Sequence, residues 1–141
     1  MAGSSVRKQQ SMNMFYLTLV LFPLVSIIAT GGILAKALNV AIPLNTIIYA
    51  FVSVVFIAIG ILMPKVKANN QVGIRMPWIM YDEALWNKTH RFAGPLWIVC
   101  GSIGLIGSFT VVKSVIFLAV LTVAVLVPVG YSAAIYFKYK K

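Results

Sequence analysis

The sequence predicts an all-α integral membrane protein: a four-helix bundle with an amphipathic interfacial segment in the cytoplasmic loop between the second and third spans. Hydrophobic residues make up 61% of the 141 positions and charged residues 10%, whereas soluble domains have roughly 45–50% and 25%. Long uncharged stretches separate the charges, and each is close to the roughly 20 apolar residues that cross a bilayer as a helix. The length fits a single transmembrane domain over residues 1–141.

Charged residues bound each predicted span. The spans are expected near residues 13–36, 43–64, 95–111 and 114–137. The first apolar run is longer than the roughly 7–15 residues of a signal peptide, and no A-x-A site follows it, so it is predicted to be a retained helix. The polar residues 1–11 before it are predicted to be disordered.

The distribution of cations predicts the direction of the spans. With both termini on one side of the membrane, only Lys36 and Lys113 lie on the other side. All other cations share the side of the termini: Arg7, Lys8, Lys65, Lys67, Arg75, Lys88, Arg91, Lys138, Lys140 and Lys141. By the positive-inside rule, both termini and the loop 65–94 are expected to face the cytoplasm.

The charge and cysteine content exclude several classes of function. The net charge of +10 is explained by topology, and no basic stripe on a folded surface is visible, so nucleic acid is not an expected partner. Cys100 is the single cysteine, and the sequence shows no metal-type spacing, so neither a metal nor a cofactor is expected. Between the charges that bound them, the predicted spans contain no Asp, Glu, His, Lys or Arg, which argues against an ion-coupled transporter or proton pump.

The loop segment "NNQVGIRMPWIMYDEALWNKTHRFAGP", residues 69–95, contains most of the side chains that could take part in acid–base chemistry or in specific binding. It holds both acids, Asp82 and Glu83, and the single histidine, His90. Asp82 is expected to cap a short helix from about Glu83 to Ala93, with Glu83 at its positive end. Pro77 restrains the residue before it to extended geometry, which predicts a structured corner at "GIRMPW".

Two further patterns concern the third span. Gly94-Pro95 punctuates the chain, so the span either begins at Pro95 or continues from the short helix after a kink. Its small residues are predicted to pack closely against other helices. They are Gly101, Gly104, Gly107 and Ser108.

Helical spacing divides the short helix into two faces. One face carries Leu85, Thr89, Phe92 and Leu96; the other carries Glu83, Asn87 and His90, with Trp86 beside His90. This amphipathic, tryptophan-rich segment is expected at the membrane–water boundary. Arg75 either pairs with the nearby carboxylates as a staple or binds a lipid phosphate.

"N-N-Q-V-G-I-R-M-P-W" followed by "L-W-N-K-T-H-R-F-A-G" resembles the signature of the SdpI family of bacterial membrane proteins, N-x-x-x-G-I-R-T-P-W-T and then W-x-x-T-H-R-x-x-G. The matching positions are Asn70 (or Asn69), Gly73, Ile74, Arg75, Pro77, Trp78, Trp86, Thr89, His90, Arg91 and Gly94. Met76 stands where the family usually has threonine. The resemblance covers about residues 55–130.

The resemblance implies a multi-pass protein of a bacterial or archaeal inner membrane. It also implies immunity to a secreted, membrane-active peptide toxin, with a signalling role in some members. The expected partners are the lipid bilayer and either a peptide toxin or a cytoplasmic regulator, and a homo-oligomer is compatible with the sequence. The expected binding residues are Arg75, Trp78, Trp86, His90 and Arg91. The expected supporting residues are Asn70, Gly73, Pro77, Asp82, Glu83, Thr89 and Gly94.

Two alternatives to a non-enzymatic binding protein stay open. One is a small oligomeric transporter or channel, and the other is an interfacial enzyme that uses Asp82, Glu83 and His90 on lipid headgroups. A buried polar cavity opening at the loop would favour either alternative, whereas a filled bundle core favours binding.

Overall fold

The computed structural model describes residues 2–68 and 73–140, without the side chains of residues 2–11, 13, 14 and 18. The described chain is all-helical and has no strand, which confirms the predicted fold class. Its helices are α1 (Ala2–Ala37), α2 (Leu44–Leu62), α3 (Glu83–Gly107) and α4 (Lys113–Tyr139). A single 3₁₀ turn, Met63–Lys65, extends α2 into the loop.

The N-terminal segment differs from the prediction. The sequence pattern predicts disorder for residues 1–11, whereas α1 begins at Ala2. No proline precedes Pro23, and Arg7, Lys8, Gln9 and Gln10 have good helix propensity, which extends the apolar helix towards the weaker helix formers Gly3, Ser4 and Ser5.

In the part of the chain that the structure describes, three helical segments are long and apolar enough to cross a membrane, namely Phe15–Ala37, Leu44–Lys65 and Lys113–Tyr139. The third predicted span belongs to a longer helix, because α3 runs without interruption from Glu83 through Pro95. Of the two alternatives at Gly94-Pro95, the structure has the continuous helix. Pro95 lacks an N–H and so removes one intrahelical bond, to the carbonyl four residues before it, without ending the helix.

α3 packs between α2 and α4, and its glycines allow the close approach to α2. A Cβ atom on Gly94 would lie 2.6 Å from Pro64 Cγ, and one on Gly101 would lie 2.7 Å from the Ser53 carbonyl oxygen. A Cβ on Gly104 would meet the Ser53 hydroxyl at 2.6 Å. The predicted packing role of the small-residue strip is therefore confirmed.

Aromatic side chains join α3 to α4. Phe92 stacks on Tyr131 with ring centroids 4.1 Å apart. The Trp97 indole N–H donates to the Ala124 carbonyl at 2.9 Å. These contacts join the middle of α3 to α4, so α3 has a helix on each side.

The bundle has two ends that differ in chemistry. We call the end with residues 63–68 and 73–82, the start of α3 and the end of α4 the loop end; there the Lys88 ammonium contacts the Tyr139 hydroxyl. We call the end with the short turns 38–43 and 108–112 the rim end. There the Lys113 ammonium donates to the Thr46 hydroxyl at 2.7 Å.

α1 lies at the periphery of the bundle. Leu17 packs against a small core of Val66 and Trp86 at the loop end. Most of its described apolar side chains are exposed, with Phe22 at 73% and Ile33 at 71%. In a membrane, these side chains would face lipid.

Candidate functional site at the loop end

Asp82 fixes the start of α3. Its carboxylate oxygen Oδ1 accepts the backbone N–H groups of Ala84 at 2.9 Å and Leu85 at 3.1 Å. Asp82 itself has extended backbone geometry, as an N-cap residue does. The predicted cap is confirmed. The exposed Glu83 follows in the first turn, where a negative charge is favourable.

Trp86 ties the start of α3 to the chain that leaves α2. The side chain is fully buried, and its indole N–H donates to the Val66 carbonyl at 3.0 Å. One helical turn later His90 stacks on it, with ring centroids 4.2 Å apart and ring planes 15° from parallel. Trp86 therefore joins α3 to Val66, the residue after the 3₁₀ turn, and supports the His90 ring within α3.

Both ring nitrogens of His90 are used by the backbone. Nε2 lies 3.0 Å from the Ile74 backbone nitrogen, which donates to it, so Nε2 carries no proton. Nδ1 lies 2.9 Å from the Trp86 carbonyl oxygen, an acceptor, so Nδ1 carries the proton. Burial lowers the pKa of His90 from its ordinary value, and the bond to the Trp86 carbonyl acts in the opposite direction. His90 is therefore neutral and buried, and its hydrogen bond to Ile74 attaches the loop to α3.

Gly73 allows the backbone of the loop to lie against His90. Its φ of +127° is a conformation that side-chain-bearing residues rarely adopt. A Cβ there would lie 2.6 Å from His90 Nε2 and 2.8 Å from Trp86 Cζ2. The backbone at Gly73 is thus pressed against both rings, which brings the N–H of Ile74 to the imidazole. This contact explains why glycine precedes Ile74 in the motif.

Trp78 attaches the corner to α4. The half-buried indole donates its N–H to the Ser132 hydroxyl at 3.3 Å, and that hydroxyl donates to the Val129 carbonyl at 2.8 Å. Pro77 is exposed and opens a turn in which the Ile79 N–H donates to the Met76 carbonyl at 3.0 Å. The turn then buries Ile79 completely.

The two signature arginines are exposed. Within the described residues, Arg75 makes no ion pair with Asp82 or Glu83, so the predicted staple is not formed. Arg91 lines a groove of about 510 Å³ at the loop end. The other side chains of the groove are Pro64, Lys65, Val66, Lys67, Glu83 and Asn87. With three cations and one acid, this groove suits an anionic or strongly polar partner.

The five predicted binding residues therefore separate into two layers. Trp86 and His90 are buried beneath the loop, Trp78 is half-buried against α4, and Arg75 and Arg91 are exposed. Helical spacing places His90 with Glu83 and Asn87, but the backbone at Gly73 and Ile74 covers only the His90 part of that face.

The supporting residues also have distinct positions. Gly94 is buried at the crossing with α2. Thr89 is fully buried, and its hydroxyl has no hydrogen-bond partner within the described residues. Asn70 lies outside the described residues.

Several contributors are not among the residues that the sequence assigns to the site. They are the Val66 carbonyl, the Ser132 hydroxyl, and the groove residues Lys65, Lys67 and Asn87. The two lysines could have been found from the sequence, because the "PKVK" segment places two cations shortly before the motif. The Val66 carbonyl and Ser132 could not, because their roles depend on contacts between distant segments.

The three groups of the enzyme hypothesis are not jointly available. His90 is buried with both nitrogens engaged, whereas Asp82 uses its carboxylate as a helix cap and Glu83 is exposed. Across residues 2–68 and 73–140, no group of three His, Cys, Asp or Glu side chains is placed to hold a metal ion.

Residues 65–132 match the SdpI/YfhL protein family. Over this part of its length, the chain belongs to the SdpI family. It is similar to the immunity protein SdpI of Bacillus subtilis (strain 168), with 30% identity over 105 residues. That alignment covers 74% of this chain and 50% of the relative, so the chain spans about half the length of this curated relative. No solved structure matches it.

The SdpI family match coincides with the structural unit built above. It begins at Lys65, in the 3₁₀ turn, and ends at Ser132, the α4 residue that accepts the Trp78 hydrogen bond. α1, α2 and the first two residues of the 3₁₀ turn precede the match. The apolar helices and the SdpI relationship together make this a multi-pass membrane protein.

Proposed function

We propose that this protein protects the membrane it spans against a membrane-active peptide toxin, and that it acts by binding. The similarity to a protein named for immunity supports the class of function. The observation that supports binding as the mechanism is the arrangement of the signature residues at the loop end. Two signature rings, Trp86 and His90, are fully engaged inside, while two signature arginines, Arg75 and Arg91, stay exposed.

In this proposal the five residues have different tasks. Arg75, Arg91 and the outer edge of Trp78 contact the partner, with Arg91 acting from the cation-rich groove. Trp86 and His90 position the corner that carries Arg75, because Ile74 is bonded to His90. A guanidinium suits the carboxylates and carbonyl groups of a peptide, since it donates from a rigid fork.

Binding, rather than catalysis, fits the state of the titratable groups. A general base needs a free lone pair near the substrate, and His90 gives its lone pair to the Ile74 N–H. Transport finds little support in the bundle interior, where the buried Ser53 and Ser132 hydroxyls bond to backbone carbonyls of their own helices. The core between α2 and α3 is filled by direct backbone contact.

The proposed orientation places the loop end and both termini in the cytoplasm. Its support is the excess of cations at the loop end, compared with Lys36 and Lys113 at the rim end. Reporter fusions after Lys141 and within the turn at Asn39 should report opposite sides of the membrane. The same side for both would contradict the four-span topology.

A survival assay tests the function. The chain is expressed in a toxin-sensitive bacterium, the peptide toxin is added, and survival is measured beside membrane abundance. Arg91→Ala and Arg75→Ala should lower protection while abundance stays at the wild-type level. Lys138→Ala, an exposed cation at the same end, is the matched control and should protect fully. Full protection by both arginine variants would contradict the proposed surface.

A second measurement separates binding from catalysis. The purified protein is incubated with the toxin in detergent, and the mass of the recovered peptide is determined. Binding leaves the peptide mass unchanged. A cleaved or modified peptide would contradict the non-enzymatic mechanism.

A further inference from the structure

The rim end contains a cavity that the loop-end function does not use. It has a volume of about 380 Å³. Lys36 and Lys113, which belong to different helices, both line it. They are also the two cations that the charge pattern assigns to the rim side of the membrane. The fold thus brings both to one place.

Two helix ends bring the lysine residues to the cavity. Lys36 belongs to the last turn of α1, after which Asn39 adopts a φ of +56° and turns the chain towards α2. Lys113 is the first residue of α4, is half-buried, and donates to Thr46 in the first turn of α2 at 2.7 Å. Lys113 is therefore held in position at the cavity rather than free to extend into solvent.

The electrostatic surroundings of the cavity are positive. Both acids of the sequence, Asp82 and Glu83, are at the loop end, so no carboxylate side chain neutralises Lys36 and Lys113. The first turns of α2 and α4 contribute two positive helix starts without side-chain caps, whereas the last turn of α1 contributes one negative helix end, next to Lys36. Asn45 lines the same cavity and adds an amide donor.

The surroundings also indicate where the ligand comes from. Val40 and Ile42 line the cavity and are 53% and 43% exposed, and the nearby Val112 is 57% exposed. The cavity lies at the ends of spanning helices, which is the depth of the lipid phosphates. Apolar side chains beside a cationic cavity at that depth suit a ligand with both an acyl chain and a phosphate.

We propose that the rim-end cavity binds the phosphate of an anionic phospholipid headgroup, with Lys36 and Lys113 as its cationic ligands and Asn45 as a neutral donor. The lipid tails would lie along the exposed apolar side chains beside the cavity. Basic pockets between spanning helices on the cytoplasmic side are known to hold anionic headgroups, and the rim-end cavity has the same combination of cations and neighbouring apolar side chains on the opposite side. This site is independent of the toxin-binding proposal, because it lies at the opposite end of the bundle.

Lipid binding to the purified full chain in neutral detergent tests the proposal. Short-chain phosphatidylglycerol is titrated, with short-chain phosphatidylcholine as the zwitterionic comparison, and bound lipid is measured by native mass spectrometry. The Lys36→Gln, Lys113→Gln double variant should bind phosphatidylglycerol at least about tenfold more weakly, since both cationic ligands of the phosphate are removed. Lys138→Gln with Lys140→Gln, a cation pair at the loop end, is the matched control and should bind as wild type does.

Two additions keep the result interpretable. The Lys36→Gln single variant leaves the Lys113–Thr46 bond intact and should still weaken phosphatidylglycerol binding. Inorganic phosphate is titrated as a competitor. Wild-type affinity in the double variant, or an equal loss in the loop-end control, would overturn the site. Binding of inorganic phosphate as tightly as the lipid would overturn the headgroup assignment and make free phosphate the ligand.

Discussion

The backbone of Gly73 lies directly against the imidazole of His90, so close that a Cβ atom on Gly73 would come within 2.6 Å of Nε2. The next residue, Ile74, donates its N–H to that same nitrogen. Two parts of the family motif that are separated in sequence therefore meet in one contact. The contact needs a glycine on one side and a neutral histidine on the other.

Gly73→Ala should destabilise the protein, because alanine would have to adopt a positive φ and its Cβ would collide with two buried rings. The expected loss is about 2 kcal/mol, in the range of backbone strain at such positions. Thermal unfolding in detergent, followed by circular dichroism, measures it. Gly130→Ala is the control: a Cβ there meets nothing within 4 Å, and alanine favours the helix, so its melting temperature should not fall.

The state of His90 predicts a pH dependence of stability. Because burial lowers its pKa in the folded protein, the unfolded chain takes up a proton at a higher pH than the folded chain does. Stability is therefore present above the unfolded pKa of about 6.5 and is lost as the pH falls below it towards the folded pKa. The melting temperature should decrease from pH 7.5 to pH 5 in the wild type.

His90→Gln is the control for that effect. The chain has a single histidine, so this variant removes the side chain that titrates in the range. Its melting temperature should be lower than that of the wild type at pH 7.5 and nearly flat down to pH 5. An equal slope in the two proteins would show that another group causes the pH dependence.

Asp82→Ala should remove the cap of α3 and cost about 1 kcal/mol of stability. Asp82→Asn should keep most of it, since asparagine caps nearly as well. Glu83→Gln, one residue later and exposed, should change stability by at most about 0.5 kcal/mol through the helix dipole. Chemical unfolding in one detergent compares the three variants; equal losses for Asp82→Ala and Glu83→Gln would mean that charge, not capping, matters at this position.

Gly101→Ala should separate α3 from α2, because the new Cβ would lie 2.7 Å from a backbone oxygen that cannot rotate away. Overpacking of this kind costs about 1–3 kcal/mol. Gly31→Ala, where a Cβ meets nothing within 4 Å, is the matched control in α1. Membrane abundance and melting temperature should fall for the first variant alone.

The features that the sequence predicted well are those set by local pattern. The Asp82 cap and the strip at Gly101 and Gly104 follow from residue type and helical spacing, and both have the predicted role. The burial of His90 depends on Ile74, from a segment that helical spacing cannot place. The sequence leaves the continuity of α3 open, because a proline removes one hydrogen bond and does not by itself dictate a break.

Trp86→Phe distinguishes positioning from direct contact in the proposed toxin-binding surface. Phenylalanine keeps a ring for His90 to stack on but leaves the buried Val66 carbonyl without its donor, at a cost of about 1–3 kcal/mol. If Trp86 acts by positioning, protection should fall in parallel with the folded fraction and recover when the assay is run at lower temperature. Arg91→Ala should show the opposite pattern: protection stays low at every temperature although the protein is fully folded. Loss of protection by Trp86→Phe at wild-type stability would place this indole in contact with the partner and would mean that the loop opens when the partner binds.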